Sequence, residues 1–364
     1  MDGLAVFRVL RRLFWLLPVS LVLASCATAP MRSLSCVEAP DPKIQVSADG
    51  ATATTRLSVL SYNLEGLAWP ARSGRARYLR EIGRHLDVMR RNGTGPDVVL
   101  FQEMFRGAAK KAVAASGYPA IASGSKRARQ PRRTDGEALP KKRYFRDGGF
   151  GLRLTGSGLA IASRYPIRGT DMSVYGACAG LDCFARKGIM LTQISIPGVP
   201  APVNIYNTHM NAAEESRVSE GRHLAAHARQ ALEASAFIRR THDANLPVIL
   251  GGDFNMMHSD ARWEIFSRYQ SLNLVHRVCE DSASGCEVLV SWDGDAPWMD
   301  TQDLQFYWPG RDVSVRPVKV EAMFDGTPGN PKLSDHDGFM VTYELSWPVN
   351  APAQPRCAPQ PMGD

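Results

Sequence analysis

The sequence lacks any long hydrophobic run beyond its N-terminal segment, and this excludes a polytopic channel or transporter. It also lacks internal repeats, and its only biased tracts are one basic stretch and a Pro-rich tail. With 44% hydrophobic and 22% charged residues the composition is that of an ordinary globular chain, which excludes collagen, coiled coil and disorder as the main body. An excess of one charge sign is missing almost everywhere. The 43 Lys and Arg against 36 Asp and Glu leave +7, and the segment from Lys126 to Arg153 alone sets ten basic residues against Asp135, Glu137 and Asp147, which equals the whole excess. The remainder is near neutral, so a surface that coats nucleic acid is excluded, while one basic loop is left to meet phosphates or an anionic membrane. What is there is 364 residues with material for a sizeable core. Two-sheet architectures often use about 200 to 300 residues as a unit, so one domain with extensions is expected.

Cysteine is sparse, with seven residues, and no second cysteine pair with flanking His follows Cys178 and Cys183, which argues against a zinc site. At the N-terminus, Arg8, Arg11 and Arg12 precede an apolar stretch from Leu13 to Leu23, closed by Leu23-Ala24-Ser25-Cys26. That order resembles a bacterial lipoprotein signal, which implies removal of residues 1–25 and lipid on the Cys26 thiol. A plain secretory signal or an uncleaved anchor is the alternative. Ala27 rather than Asp after the cysteine implies, by the same resemblance, the outer membrane of a Gram-negative cell. Six cysteines then remain in an oxidising compartment, an even number. The short spans Cys178–Cys183 and Cys279–Cys286 suggest local staples, leaving Cys36 to meet Cys357.

Residues 26–54 show no sustained period and read as a tether, residues 55–346 as the domain with a basic insertion over 126–149, and residues 347–364 as a Pro-rich tail. Arg56 to Asn63, Val98 to Phe101, Val203 to Thr208 and Val248 to Leu250 read as strands. Arg75 to Asn92, with Leu79, Ile82, Leu86 and Met89 on one face, and Glu220 to Arg240 read as helices. Short apolar strands ending in Asn63, Glu103, His209, Asp253 and Asp303, alternating with a few long helices, favour packed sheets with helices outside.

Polar side chains at the ends of buried strands are costly unless paired, so each needs a reason. Ser61-Tyr62-Asn63, Phe101-Gln102-Glu103, Asn207-Thr208-His209, Gly251-Gly252-Asp253-Phe254-Asn255 and Ser334-Asp335-His336 are five such places. Singly each reads as a turn former or cap. In this order they resemble the endonuclease/exonuclease/phosphatase superfamily over about Leu57 to Glu344. Gly156 to Ile167 and Phe184-Ala185-Arg186-Lys187-Gly188 are similar to its neutral sphingomyelinase branch. The resemblance implies an α+β, four-layer αββα sandwich of two packed mixed β-sheets and metal-dependent hydrolysis of phosphate esters.

A phosphodiester is an anion, so its site must neutralise charge, activate water and help the leaving oxygen depart. Glu103 and Asn63 offer hard oxygens suited to Mg²⁺ or Mn²⁺, with Asp335 expected to support the metal or His209. His336 is expected as general base, oriented by Asp303, though Leu304 follows where the family has Tyr or His and Asp300 stands nearby as a substitute. Asp253 is expected to orient the nucleophile or leaving group, and Asn255 to bind a phosphoryl oxygen. The base assignment between Asp253 and His336 stays open. His209 is expected to donate to a phosphoryl oxygen, and Asn207 and Lys187 to bind substrate. A sphingomyelinase-like phospholipase C is the leading reading. A nuclease outside the cytoplasm, a phosphatase of the same fold and a non-catalytic binding lipoprotein are the rivals. The substrate is expected to be a phospholipid or nucleic acid, the membrane partner to be met through Cys26, and the chain to be a monomer without a protein partner.

Overall fold

The computed structural model describes residues 28–35, 38–67, 72–125, 154–290 and 300–352. The expected signal, Cys26, Cys36, the basic insertion 126–149 and Cys357 with most of the tail lie outside the described residues. Two mixed sheets form. The first joins β1 (Gln45–Val46), β2 (Thr52–Asn63), β3 (Val98–Gln102), β4 (Ala120–Ser123), β5 (Ala160–Ser163), β11 (Glu287–Leu289), β13 (Ser314–Met323) and β14 (Gly338–Pro348), in the order β11-β13-β14-β2-β3-β5-β4 with β1 on β2. The second joins β6 (Ile167–Val174), β7 (Gly188–Ile194), β8 (Val203–His209), β9 (Val248–Asp253), β10 (Asn273–Leu274) and β12 (Asp303–Trp308), in the order β10-β12-β9-β8-β7-β6. Parallel pairs β2/β3, β11/β13 and β8/β9 among antiparallel neighbours make both sheets mixed.

The period of two along each strand explains the layers. Leu57 and Val59 of β2, Val98 and Leu100 of β3, Ile205 of β8, Ile249 of β9 and Val341 of β14 fill one core between the sheets. Their neighbours Leu60, Tyr62, Val99 and Phe101 point the other way, into a core under α1 (Ala76–Arg91) and α2 (Gly107–Ala115), where Leu79, Ile82 and Leu86 are buried. Tyr206, Leu250, Leu304 and Phe306 do the same on the far side, under α3 (Glu220–Thr241) and α4 (Asp260–Tyr269). Three cores separated by two sheets are the expected four-layer αββα sandwich. A short α5 (Val275–Glu280) closes one edge. Among the described residues no helix is long and apolar enough to cross a membrane.

The expected elements form within one to four residues of their sequence limits. The tether over 26–54 differs: β2 starts at Thr52, and Arg32 makes a two-way main-chain bridge to Ile121 while its guanidinium donates to the carbonyls of Tyr118 (3.0 Å) and Ala114 (2.9 Å). Those contacts use backbone and one cation, so they leave no hydrophobic period in the sequence. Asp303 also differs, opening β12 rather than ending a strand. Because β12 runs antiparallel to β9, its first residue still reaches the same end of the sheet. Cys178–Cys183 and Cys279–Cys286 are both disulfide-bonded, as the spacing suggests.

Candidate active site

Alternation brings inward-facing positions from one end of each central strand together at one end of the inter-sheet core, and these positions are polar. They are Asn63, Gln102, Asn207, His209, Asp253 and Asp303. Register across the second sheet sets His209 opposite Asp253, and Asp253 opposite Asp303. Gly252 allows the crowding: a Cβ there would sit 2.1 Å from the Thr208 carbonyl oxygen, and its φ of 148° suits only glycine. Gly66 does the same above β3, where a Cβ would meet the Glu103 carbonyl oxygen at 2.1 Å.

Asp253 is the hub. Its Oδ2 accepts from Asn63 Nδ2 at 2.9 Å and lies 3.2 Å from His209 Nε2, while Oδ1 accepts from the Asn255 backbone N–H at 3.0 Å and from Asn255 Nδ2 at 2.9 Å. Burial pushes this carboxyl up, but His209, His336 and Lys187 with these donors outweigh it and hold Asp253 well below the usual carboxylate range. His336 Nδ1 lies 2.6 Å from Asp303 Oδ2, and its Nε2 lies 3.9 Å from Asp253 Oδ2. Burial alone would lower the imidazole, yet Asp303, Asp253 and Asp335 outweigh it and push His336 up; Asp303 is pushed up by burial against the pull of His336. The two side chains form one buried, hydrogen-bonded imidazole–carboxyl unit. Asp300 is exposed, so the acid that meets His336 is Asp303 despite the Leu304 that follows.

The structure reassigns several of the other expected roles. His209 is 1% exposed, and burial followed by Lys187 holds its ring below the usual range. With Nε2 3.2 Å from Asp253 Oδ2 and Nδ1 buried, the ring is turned toward the hub and braces it. Asn207 is consumed as a rivet between the sheets: Oδ1 accepts from Gln102 Nε2 at 2.7 Å, and Nδ2 donates to the carbonyls of Phe101 (2.9 Å) and Ala160 (3.0 Å). It positions the site without an amide left for substrate. Lys187, expected to reach a phosphate, turns inward, with Nζ 2.7 Å from Asp182 Oδ1 and donating to the Met210 carbonyl at 2.9 Å. Asn255 Nδ2 also donates to the Met210 carbonyl at 3.1 Å, so its amide braces the turn. Asp335 faces away from His209. Its N–H donates to Glu65 Oε2 at 3.2 Å and its carboxylate lies 3.5 Å from Arg72.

Glu103 follows β3 with φ 57°, a left-handed turn that breaks the strand alternation and carries the side chain away from the helix-side core. Its Oε2 is buried without a partner, and burial, partly offset by Lys187 and His336, pushes the carboxyl up to about 7. An orphaned buried carboxylate oxygen is what a divalent cation would satisfy. Among the described residues there is no cluster of three or more His, Cys, Asp or Glu able to hold a metal. Asn63 Oδ1, which accepts the Glu65 N–H at 3.0 Å, is a second hard oxygen suited to a divalent cation.

Four residues of this framework carry no signal of their own in the sequence. Glu65 pairs with Arg75 at 3.1 Å, and Arg75 donates to the Leu333 carbonyl at 2.6 Å, tying the loop after β2 to the Ser334-Asp335-His336 loop. Arg262 of α4 is 1% exposed and donates to the carbonyls of Asn211 and Asn255, bracing the Asp253 turn from behind. Asp182 holds Lys187. Each stands in a stretch that reads as ordinary surface, and only its partner, distant in sequence, reveals the role.

A family model described as the Endonuclease/Exonuclease/phosphatase family matches residues 60–336. Over 222 residues, 56% of this chain and 50% of the relative, the sequence is 29% identical to sphingomyelin phosphodiesterase 2 of Rattus norvegicus. The chain spans half or less of the length of the curated relatives it first matches. Sphingomyelinase C from Streptomyces griseocarneus superposes with a TM-score of 0.56 at 19% identity, covering 79% of this chain and 99% of that one. A mutant beta toxin from Staphylococcus aureus with bound magnesium ions superposes with a TM-score of 0.51 at 18% identity, covering 80% of this chain and 99% of that one. The structural likeness is one of fold, the family match spans most of the sequence, and the chain belongs to the endonuclease/exonuclease/phosphatase family.

Proposed function

We propose that the protein is a phosphodiesterase that uses a divalent cation, Mg²⁺ or Mn²⁺, to hydrolyse a sphingomyelin-type phospholipid by in-line attack of water. The observation that carries this reading is the contact of His336 with Asp303 at 2.6 Å, set against Asp253 and facing the orphaned oxygen of Glu103. Glu103 and Asn63 are the residues that would hold the cation, with Asp335 too far committed to Glu65 and Arg72 to serve as more than an outer support. When bound, such an ion neutralises phosphoryl charge and acidifies water. Asp303 fixes the His336 ring so that Nε2 faces the site. Asp253 is saturated by donors from Asn63 and Asn255, so proton movement at the reacting oxygens falls to His336 Nε2, the nitrogen that Asp303 leaves uncommitted. Sphingomyelin is favoured as substrate by the curated relative and the solved structures named for that chemistry.

The decisive measurement is release of phosphocholine from sphingomyelin, run beside DNA, RNA and a soluble diester, with and without chelator. Glu103→Gln should lose activity and weaken metal dependence together. Full turnover in excess chelator would sink the metal assignment, and cleavage of DNA or RNA alone would move the enzyme to the nuclease reading. We further propose export and lipid anchoring through Cys26 to the outer membrane of a Gram-negative cell. Cys26→Ser should leave an unlipidated precursor by mass spectrometry, and a lipid-free wild-type protein would remove the anchor.

A further inference from the structure

The five-residue 3-10 turn Gly180–Phe184 has two unlike sides. Cys183 is fully buried and the Asp182 side chain is 8% exposed, whereas Leu181 and Phe184 are 46% and 43% exposed. Side chains three apart eclipse in a 3-10 helix, so Leu181 and Phe184 share one face. Leu154, 71% exposed, lies beside them, because its N–H and that of Thr155 both donate to the Phe184 carbonyl at 2.9 and 3.0 Å. This apolar face is held rigidly. The Cys178–Cys183 disulfide closes the loop, the Ala179 N–H donates to Asn211 Oδ1 at 2.8 Å, and Gly180 packs so near Ser216 that a Cβ would lie 1.8 Å from its carbonyl oxygen. The inner side of the same turn carries Asp182, whose partner Lys187 donates to the carbonyl of Met210, the neighbour of His209.

We propose that Leu181, Phe184 and Leu154 form a seat for a lipid bilayer, entering its acyl region so that the site opens over the head groups. The proposal rests on the phospholipid reading above. Leucine and phenylalanine fixed in water gain nothing from their exposure, and nucleic acid offers no apolar phase to receive them. The chain that leads into Leu154 bears ten Lys and Arg between Lys126 and Arg153 against three acids, a charge complementary to anionic head groups. Apolar anchors joined in sequence to a run of basic residues are a combination that favours anionic bilayers.

The test uses vesicles of phosphatidylcholine, phosphatidylserine and sphingomyelin, with bis(p-nitrophenyl) phosphate as a soluble diester. The double variant Leu181→Ser/Phe184→Ser should partition to vesicles about 100-fold less, since each change removes a side chain worth roughly tenfold in transfer. Vesicle hydrolysis should fall in parallel while turnover of the soluble diester stays at the wild-type level. Phe184→Trp, which keeps an apolar anchor and so reports even where the double variant does not fold, should bind vesicles with a blue shift in its emission. Unchanged partition of the double variant, an equal loss on the soluble diester, or an unshifted Phe184→Trp spectrum each overturns the seat while leaving the enzyme's chemistry standing. A wild-type protein inert on vesicle sphingomyelin but active on DNA overturns the phospholipid reading and the seat with it.

Discussion

At the scale of single residues the site is a chain of commitments in which one atom's partner fixes the next atom's proton. Asp303 and His336 act as a unit, so His336→Ala and Asp303→Asn should each reduce turnover by about 10²- to 10⁴-fold, and the double variant should be little worse than the worse single. Asp300→Asn should be mild, and steady-state kinetics of the four proteins checks the ranking. A second prediction concerns a histidine remote from the chemistry. His276 is fully buried, stacked on Phe339 with ring centroids 4.6 Å apart, and burial pushes it down to about 3. Its folded form therefore stays neutral where the unfolded chain takes up a proton. The contribution is complete above the ordinary value of 6.5 and is lost as pH falls from there toward 3. Urea midpoints over that window should show His276→Leu with a shallower acid slope, by about 1.4 kcal/mol per pH unit. Parallel slopes for the two proteins would show that the ring does not titrate as argued.

At the scale of elements, strand alternation decided what could be read beforehand. The inward set of β2, β8 and β9 ends in Asn63, His209 and Asp253, and a period of two delivers all three to one place without knowledge of the fold. Glu103 escapes that rule because its positive φ turns it out of the strand pattern, so its presence was legible and its direction was not. Asn207 and Lys187 turn to protein partners for a shared reason. A polar group at a buried strand end is open to substrate only if no neighbour claims it, and the claimants, Gln102 across the sheets and Asp182 in a disulfide loop, are fixed by tertiary contact. Close strand approach gives a third prediction: Gly252→Ala should destabilise by about 1 to 3 kcal/mol from backbone strain alone, with contact against Thr208 adding to it, read from denaturant midpoints. The edge staple gives a fourth. Replacing both Cys279 and Cys286 by Ser opens a loop with a sequence separation of 7, which should cost about 2 kcal/mol of stability and leave turnover of a soluble diester intact, since β11 is the edge strand of the first sheet and Asp253 belongs to the second.

At the scale of the whole molecule, the second sheet is drawn from the middle of the sequence, and the first from both ends. β14, the last strand, inserts between β2 and β13, pairing with β2 from Phe339 to Pro348 and with β13 from Gly338 to Ser346. It also carries Tyr343, whose hydroxyl donates to Gln305 Oε1 at 3.0 Å, while Gln305 Nε2 donates to the carbonyls of Val59 and Phe339, so this one strand helps lock the sheets together. Synthesis runs the other way from this dependence. Of the two strands β2 is made first and waits with an unfilled edge until synthesis has passed Gly338, where its partner begins. His336 arrives just before that strand. A chain made only as far as Asp335 therefore has neither a closed first sheet nor the imidazole that meets Asp303, so a truncation there removes the sheet and the site in one cut.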